Sequence, residues 1–484
     1  MTVLGIDIGT QSLKVIVVRD GVVLGQSQSA LMLSRPRPNW AQQDPLEWDR
    51  ALPLAIAAAL SQASVHAGEI AAIGIVGQLD GCLAVDRDGQ ALSDCLVWMD
   101  RRANAMLPAM SAAENEHFRQ CTGLVMDGSH MAAKIKWLKT QGLPAEARFH
   151  QPTSYLVERL CGAFVMDSAL ASTTMLYSLS DEGYDEELLE LFSVSRSEIP
   201  KIAAPGDIAG HLTSQGAALC GLPAGIPLAV GTGDDFATLL GAGITKPGPM
   251  LCTLGTAEVV GALSINKVID SGGLLETHRF LDKHYVENPG WLSGGALRWL
   301  GTILKIDSDA ELDRSASCAP IGCDGLTFIP ALSGAMAPSW QPAARGCFYG
   351  LTAGHTQSHM ARAVLEGCAF AMRDVREGLL KMGLGTESII LLGGGAKSQL
   401  WAQMRSDLCQ TELFASENDD SCALGAAILA TAAYQENDAT SISQSWEVER
   451  VAYQPRPTLR EPYQQAYGRY RQLFAALSPM WDGS

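Results

Sequence analysis

Three short stretches carry residue types that could do chemistry together. Val230-Gly231-Thr232-Gly233-Asp234-Asp235-Phe236-Ala237-Thr238 ends an apolar segment, Ile226 to Val230, with a glycine-rich break and two carboxylates. Gly5-Ile6-Asp7-Ile8-Gly9-Thr10 lies near the start, and Leu251-Cys252-Thr253-Leu254-Gly255-Thr256 lies just past the centre. Each of these closes an apolar strand with Gly-Thr, where backbone N–H groups and a hydroxyl can face a phosphate. An aspartate at a strand-to-helix junction can also be a plain N-cap. Two phosphate-facing turns, with carboxylates between them in sequence, point instead to phosphoryl transfer from a nucleotide.

Other motifs fall short of their usual chemistry. Gly393-Gly394-Gly395-Ala396-Lys397-Ser398 superficially suggests a P-loop, but Ala396 stands where the glycine before lysine is required. No G-x-G-x-x-G opens a helix after a strand, so this run reads as a ligand loop allowing close backbone approach. His355 and His359 stand four apart without the carboxylate of a zinc-protease motif, and read as solvated histidines at a helix start. No G-x-S-x-G elbow is present for serine hydrolysis. The 12 cysteines include no C-x-x-C pair, which favours small buried hydrophobes in a reducing compartment over a metal site.

The elements that must position these residues alternate strand and helix. Val3 to Ile8 reads as a strand, and Lys14 to Val18 with Val22 to Ser27 as a hairpin around Asp20-Gly21. Leu46 to Ala63 has helical periodicity, and Ile70 to Ile75 is a strand ending at Gly77. Leu83 to Asp86 and Ala91 to Trp98 are expected to continue the sheet, and the region from Arg101 to about Leu191 to be mostly helical. From Gly248 the same programme restarts, a repeat at domain scale. It continues with a helix from Ala361 to Leu380, a strand from Ser388 to Leu392 and a small-residue helix from Ala423 to Ala433. A helix from Tyr463 to Leu477 closes the chain. The pattern predicts an α/β protein of two halves, 1–244 and 245–484, with a ligand cleft between them.

Bulk properties bound the partners. A chain of 484 residues exceeds one core, and 47% hydrophobic with 18% charged residues is ordinary for a globular protein. The net charge of −17 argues against nucleic acid or an anionic membrane surface as partner. Any anionic substrate must therefore be held by local loops and metal. No targeting segment and no apolar run of membrane-spanning length is evident, so a cytoplasmic protein is expected.

Over nearly its whole length the chain resembles the FGGY carbohydrate kinases, within the superfold of actin, hexokinase and the heat-shock chaperone ATPases. Gly5 to Thr10 is similar to that family's first phosphate loop and Leu254-Gly255-Thr256 to its second. Gly346-Cys-Phe-Tyr-Gly350-Leu351, His359-Met360 and Ala363-Val-Leu-Glu366 fit its C-terminal signature. Gly394-Gly395-Ala396 resembles the adenosine turn, and Ala423 to Ala427 the helix behind it. Within the family the xylulose kinases show the greatest similarity, through Ser34 to Trp40, Gln43-Asp44-Pro45, Trp98 to Arg102 and Gly231 to Asp235. The chain departs from them at Leu79-Asp80, where they carry Met-His, at Asp235, usually Asn, and at Ala335-Met336, where they carry Glu-Arg. Gly334 to Gly346 is nearer to glycerol kinase, and Gln78-x-Asp80-Gly81 is similar to erythritol kinases.

The resemblance implies two actin-like, ribonuclease H-like ATPase domains and ATP and Mg²⁺ as cofactors. The substrate it implies is a small sugar, a 2-ketopentose such as D-xylulose. Polyol or ribulose kinases, and an actin-like or chaperone-like ATPase outside the kinases, are the alternatives. Asp234 would be the general base and Asp7 would help hold Mg²⁺ through water. Gly9, Thr10, Lys14, Gly255 and Thr256 would meet phosphates, and Gly394, Gly395, Ala396 and Gln399 the adenosine. Gln78, Leu79, Asp80, Trp98, Asp100, Arg102 and Asp235 would grip the sugar. A homodimer is a base-rate expectation.

Overall fold

Strand Thr2–Ile8 shows how the first sheet is built. Leu4, Ile6 and Ile8 enter one apolar core with Trp48 and Ile56, while Val3 enters another with Ala423 and Ala427. Successive side chains of a strand point to opposite faces, so this strand is covered on both. It pairs antiparallel with Ser12–Arg19 and parallel with Ile70–Gly77. The seven-stranded sheet runs Ile208–His211, Pro227–Ala229, Ile70–Gly77, Thr2–Ile8, Ser12–Arg19, Val22–Ala30, with Thr232–Gly233 also paired to Ile70–Gly77. The structure is a computed structural model describing residues 1–416 and 420–481.

Helix Pro45–Ala63 covers one face; Asp44 caps it by accepting from the Leu46 N–H, and proline takes its first position. Helix Ser421–Gln435 covers the other face and packs by close backbone approach. A Cβ on Gly74 would sit 1.8 Å from the Ala426 carbonyl oxygen, and one on Gly425 would sit 2.0 Å from that of Ala237. Small residues therefore let this helix lie on the sheet and on helix Asp234–Gly241 at once. That is the close packing its alanine-rich sequence suggests.

The second sheet repeats the pattern. Met250–Leu254 pairs antiparallel with Ala257–Ser264 and parallel with Ile389–Leu392. The latter pairs parallel with Leu413–Ala415, which pairs antiparallel with Val451–Tyr453. Helix Gln357–Lys381 supplies much of the apolar core on this sheet. Its buried Glu366 accepts from the Arg362 guanidinium at 2.8 Å and from the Gly322 N–H at 3.1 Å, so this signature residue joins helix to loop.

The chain folds into two compact units that are not contiguous in sequence. The first comprises Met1–Thr245, His278–His284 and Asp420–Glu447; the second holds Lys246–Thr277 and the described residues of 285–419 and 448–484. A cut at residue 244 would thus leave the helix lying on the first sheet in the other half. One strand expectation fails. Leu83–Val85 and Cys95–Leu96 do not extend the main sheet but pair with Arg148–His150 and Gln42–Gln43. The Asp86 carboxylate takes the N–H groups of Asp88 and Gln90, so the intervening turn closes on itself rather than on a long ladder. Among the described residues, no helix is long and apolar enough to cross a membrane.

Candidate active site

The first Gly-Thr turn is tied to a network of amides. Gly9 donates its N–H to the Ser12 carbonyl at 2.9 Å, and Gln78 donates its N–H to Ile8 at 2.9 Å. The Thr10 hydroxyl donates to Gln78 Oε1 at 3.1 Å and accepts from Trp98 Nε1 at 3.0 Å. Gln78 Nε2 in turn donates to Gln43 Oε1 at 2.6 Å, and Gln43 Nε2 donates to the Thr10 carbonyl at 2.7 Å. Gln78 is 1% exposed with both ends of its amide occupied, whereas Trp98, 39% exposed, keeps part of its ring open.

Asp100 and Arg102 meet each other. The buried Asp100 carboxylate accepts from the Ala41 N–H at 2.6 Å and from Arg102 Nε at 2.9 Å. The Arg102 guanidinium lies 3.8 Å from the centre of the Trp40 ring and donates to Gln42 Oε1 at 2.7 Å. Most of their hydrogen-bonding capacity goes into this structure, which holds the loop carrying Trp98.

Leu79 and Asp80 follow at the end of strand Ile70–Gly77. The Leu79 side chain covers Gly233, where an added Cβ would lie 2.0 Å from Leu79 Cδ2. Asp80 adopts the left-handed region at φ +57°. Its Oδ1 lies 3.2 Å from His130 Nδ1. Its carbonyl accepts from the fully buried Lys134 Nζ at 2.6 Å, which also donates to the Val97 carbonyl at 2.9 Å. Burial pushes the Lys134 ammonium down to about 8. For Asp80 burial acts upward, but the facing His130 and Lys134 outweigh it and hold the carboxyl below its usual range. Neither His130 nor Lys134 is legible as a site residue in sequence, because both depend on a contact some 50 residues away.

The carboxylates converge at the N-terminal end of helix Ser421–Gln435. Asp7 shares the strand face of Val3 and Gly5, which meets that helix, and lies opposite Lys14 in the register. Lys14 Nζ pairs with Asp420 Oδ1 at 2.9 Å; burial opposes its charge, yet this pair keeps its ammonium above the usual value. Burial drives the Asp7 carboxyl up to about 6 against the pull of Lys14, with a further bond to the Cys422 thiol. The Cys422 thiol is itself raised far above its ordinary value, first by burial and then by Asp7, Asp234 and Asp235. This places Asp7, Asp234 and Asp235 around one thiol that the sequence does not flag.

The loop before Asp234 is firmly held. Thr232 donates its hydroxyl to Asp167 Oδ2 at 2.8 Å, and its carbonyl accepts from Thr153 Oγ1 at 3.1 Å. Thr232 and Gly233 pair with Val76 and Gly77, beside the first Gly-Thr turn. Asp234 and Asp235 begin helix Asp234–Gly241, and Asp234 Oδ1 accepts from the Asp235 N–H at 3.1 Å.

Asp7 Oδ1 is closed to solvent and has no hydrogen-bond partner. A buried orphan oxygen among carboxylates suits a divalent cation. Among the described residues no three His, Cys, Asp or Glu side chains are grouped closely enough to cage a metal directly.

In the second unit the other Gly-Thr turn is locked to the next helix. The Thr256 carbonyl accepts from the N–H groups of Ser293, at 3.1 Å, and Gly295, at 3.0 Å. Helix Gly294–Leu304 starts here, and its Arg298 Nη2 donates to Thr256 Oγ1 at 2.5 Å. The turn Gly394–Lys397 lies alongside: a Cβ on Gly395 would meet Leu254 Cδ2 at 2.3 Å. Gly394 and Gln399 are exposed, while Ala396 turns its methyl into the core. The two histidines spaced four apart are not metal ligands in waiting. His355 and His359 use Nδ1 for the Thr352 and Thr356 N–H groups and Nε2 for the Cys323 carbonyl and Asp324.

Fold and site together define a class, a two-domain α/β phosphotransferase of the actin-like, ribonuclease H-like ATPase fold. Residues 2–241 match the N-terminal domain of the FGGY family of carbohydrate kinases and residues 250–434 its C-terminal domain. The chain belongs to this family. Relatives include the glycerol kinase of Thermococcus kodakarensis, 30% identical over 93% of this chain and 92% of that protein. The xylulose kinase of Escherichia coli is 30% identical over 96% of this chain and 98% of its own length. The crystal structure of xylulose kinase from Rhodospirillum rubrum superposes with a TM-score of 0.88 and 28% identity, covering 100% of both chains. The protein is thus a carbohydrate kinase, transferring phosphate from ATP to an alcohol group of a sugar.

Proposed function

We propose that the chain phosphorylates a 2-ketopentose such as D-xylulose, with Asp234 as general base. One observation carries the mechanism: the first turn of helix Ser421–Gln435 packs against both the strand that carries Asp7 and helix Asp234–Gly241. A Cβ on Gly5 would lie 2.1 Å from the Ala423 carbonyl oxygen, and one on Gly241 would lie 1.8 Å from that of Ser421. Asp7, Asp234 and Asp235 thus all act on Cys422. Phosphoryl transfer needs alignment and charge stabilisation more than covalent help. Asp234, at the first turn of a helix fixed to the sheet, takes the proton of the attacking hydroxyl. The N–H groups and hydroxyls at Gly9, Thr10, Gly255 and Thr256 receive the phosphoryl oxygens, with Lys14 as a nearby cation. Gly394, Gly395 and Gln399 offer an open backbone surface to the adenosine. Mg²⁺, held by Asp7 through water, would neutralise charge on the nucleotide's terminal phosphates.

For the sugar, Trp98 offers an apolar ring surface, Leu79 an apolar side, and Asp80 and Asp235 acceptors for hydroxyls. Gln78, Asp100 and Arg102 then position Thr10 and the Trp98 loop. The full-length likeness to xylulose kinases supports a ketopentose. A second reading, a polyol kinase for glycerol or erythritol, is favoured by Asp80, whose carboxylate accepts from a hydroxyl but offers nothing to a carbonyl. ATP consumption with D-xylulose, D-ribulose, glycerol and erythritol separates them. The highest kcat/KM on D-xylulose supports the first reading, and on glycerol or erythritol the second. ATP hydrolysis indifferent to all four would overturn both.

A further inference from the structure

Asp80 is held from both its main chain and its side chain. Its backbone lies in the left-handed region at φ +57°, a conformation that residues other than glycine seldom take and that neighbours must maintain. Two bonds do so: the Asp80 N–H donates to Gln151 Oε1 at 3.0 Å, and its carbonyl accepts from Lys134 Nζ at 2.6 Å. Gln151 is itself fixed, donating through Nε2 to the Leu170 carbonyl at 3.0 Å and to Thr173 Oγ1 at 3.2 Å.

The side chain is set by one helix start. His130 stands at the N-cap of helix Met131–Lys139, and Lys134 follows one turn on, its N–H donating to the His130 carbonyl. Residues four apart at a helix start share a face, so the same helix end brings an imidazole to the Asp80 carboxylate and an ammonium to its carbonyl. The imidazole makes no cap to its own helix; its Nδ1 lies 3.2 Å from Asp80 Oδ1. An ionised carboxylate can only accept, so Nδ1 carries the proton and donates. The helix start is anchored in turn. Asp127 Oδ1 accepts from the Ser129 N–H at 2.8 Å and pairs with Arg101 Nε at 3.2 Å, and the Ala132 N–H donates to the Thr174 carbonyl at 3.0 Å.

Exposure divides the pair. The His130 side chain is 4% exposed and that of Asp80 16%, so the imidazole is nearly sealed while the carboxylate still reaches the open. Among the described residues, Asp80 Oδ2 has no hydrogen-bond partner.

We propose that His130 is a positioning residue for substrate recognition, its Nδ1–H fixing the Asp80 carboxylate so that the other oxygen accepts from a hydroxyl of the substrate. This rests on the reading of Asp80 as a sugar contact. An acceptor oriented before the substrate arrives loses little side-chain freedom on binding, and that saving appears in affinity. Asp80 holds the substrate away from the transferred phosphate, so the effect of His130 falls on the KM for the substrate rather than on kcat.

The test is steady-state kinetics of the full chain at saturating ATP and Mg²⁺, with whichever of D-xylulose, D-ribulose, glycerol and erythritol gives the highest kcat/KM. His130→Phe keeps a ring in the buried place without the donor, and His130→Asn returns a donor near the position of Nδ1. We expect His130→Phe to raise the substrate KM by about tenfold, with kcat and the KM for ATP within about twofold, and His130→Asn to recover part of the loss. Asp80→Ala should raise the substrate KM at least as far, and in that background His130→Phe should add less than about twofold, because residues that act as one unit are not additive. If the Phe variant does not fold, the same cycle with His130→Ala gives the answer. An unchanged substrate KM in His130→Phe, the same cost with and without Asp80, or a parallel loss in kcat and in the KM for ATP would overturn the proposal while leaving Asp80 as a sugar contact. An unchanged substrate KM in Asp80→Ala would overturn the reading of Asp80 and this proposal with it.

Discussion

Asp234 and Asp167 sit 67 positions apart in sequence, yet Asp167 holds the loop that leads into Asp234. Asp234→Ala should leave ATP binding largely intact while kcat falls by about a hundredfold or more, the usual share of a general base. Near-normal turnover would remove Asp234 from the mechanism. Asp167 takes the Thr232 hydroxyl and the N–H groups of Ala169 and Leu170, and burial still raises its carboxyl to about 6. A carboxyl raised on folding contributes stability that is complete below its unfolded value of 3.8 and is lost as pH rises through about 6. Relative to Asp167→Asn, the unmodified protein should therefore lose up to about 3 kcal/mol between pH 4 and pH 7. Chemical denaturation of the pair at both pH values reads this difference, and a constant gap would refute it. The sequence placed Asp7, Asp234 and both Gly-Thr turns at strand ends, and the structure has them there, because strand-turn junctions are local. It could not show that Gln78 is spent on Thr10 and Gln43, or Asp100 on Arg102 and Ala41. Nor could it show Cys422 among the carboxylates, since these pairings form only on folding.

Among the elements, helix Ser421–Gln435 decides most. Its own alanine-rich sequence has little amphipathic character and is buried on nearly all sides. Its partners are glycines on strands and on helix Asp234–Gly241, so the interface is read from pairs of small residues rather than from an apolar stripe. Gly74→Ala places a methyl 1.8 Å from the Ala426 carbonyl oxygen, backbone that cannot swing aside. It should cost about 1–3 kcal/mol or more, or prevent soluble expression. Gly68→Ala, with open space around the new Cβ, is the control and should leave the thermal midpoint unchanged. Equal midpoints for both would mean the helix does not lie that close. Periodicity located elements of this kind well: Leu46 to Ala63 against Pro45–Ala63, and Ala361 to Leu380 against Gln357–Lys381. It failed at Ala91 to Trp98, where a ladder needs a partner and the available one, Gln42–Gln43, is two residues long.

For the whole molecule, the domain-scale repeat was legible because both sheets restart from a strand ending in Gly-Thr. Each then places an antiparallel neighbour on one side and a parallel one on the other. The path of the chain was not legible. The restart of the pattern at Gly248 suggests two consecutive halves, but burial obeys surface area rather than order in the chain. The face of the first sheet formed by Val3, Ile16, Val18 and Ala72 is covered by Ala423, Leu424, Ala427 and Ala430. A fragment of residues 1–244 would present that apolar face to water, together with the backbone of Gly5 and Gly74, and a face of this kind drives association. Expressed alone, it should aggregate or lack a cooperative melting transition. A single-chain variant in which residues 420–447 follow residue 245 through a flexible linker should recover one, read by circular dichroism. A cooperative transition in 1–244 by itself would show that the first unit closes its core without the returning helix. The carboxylate cluster would then have to assemble by a route that leaves Cys422 and Asp420 out.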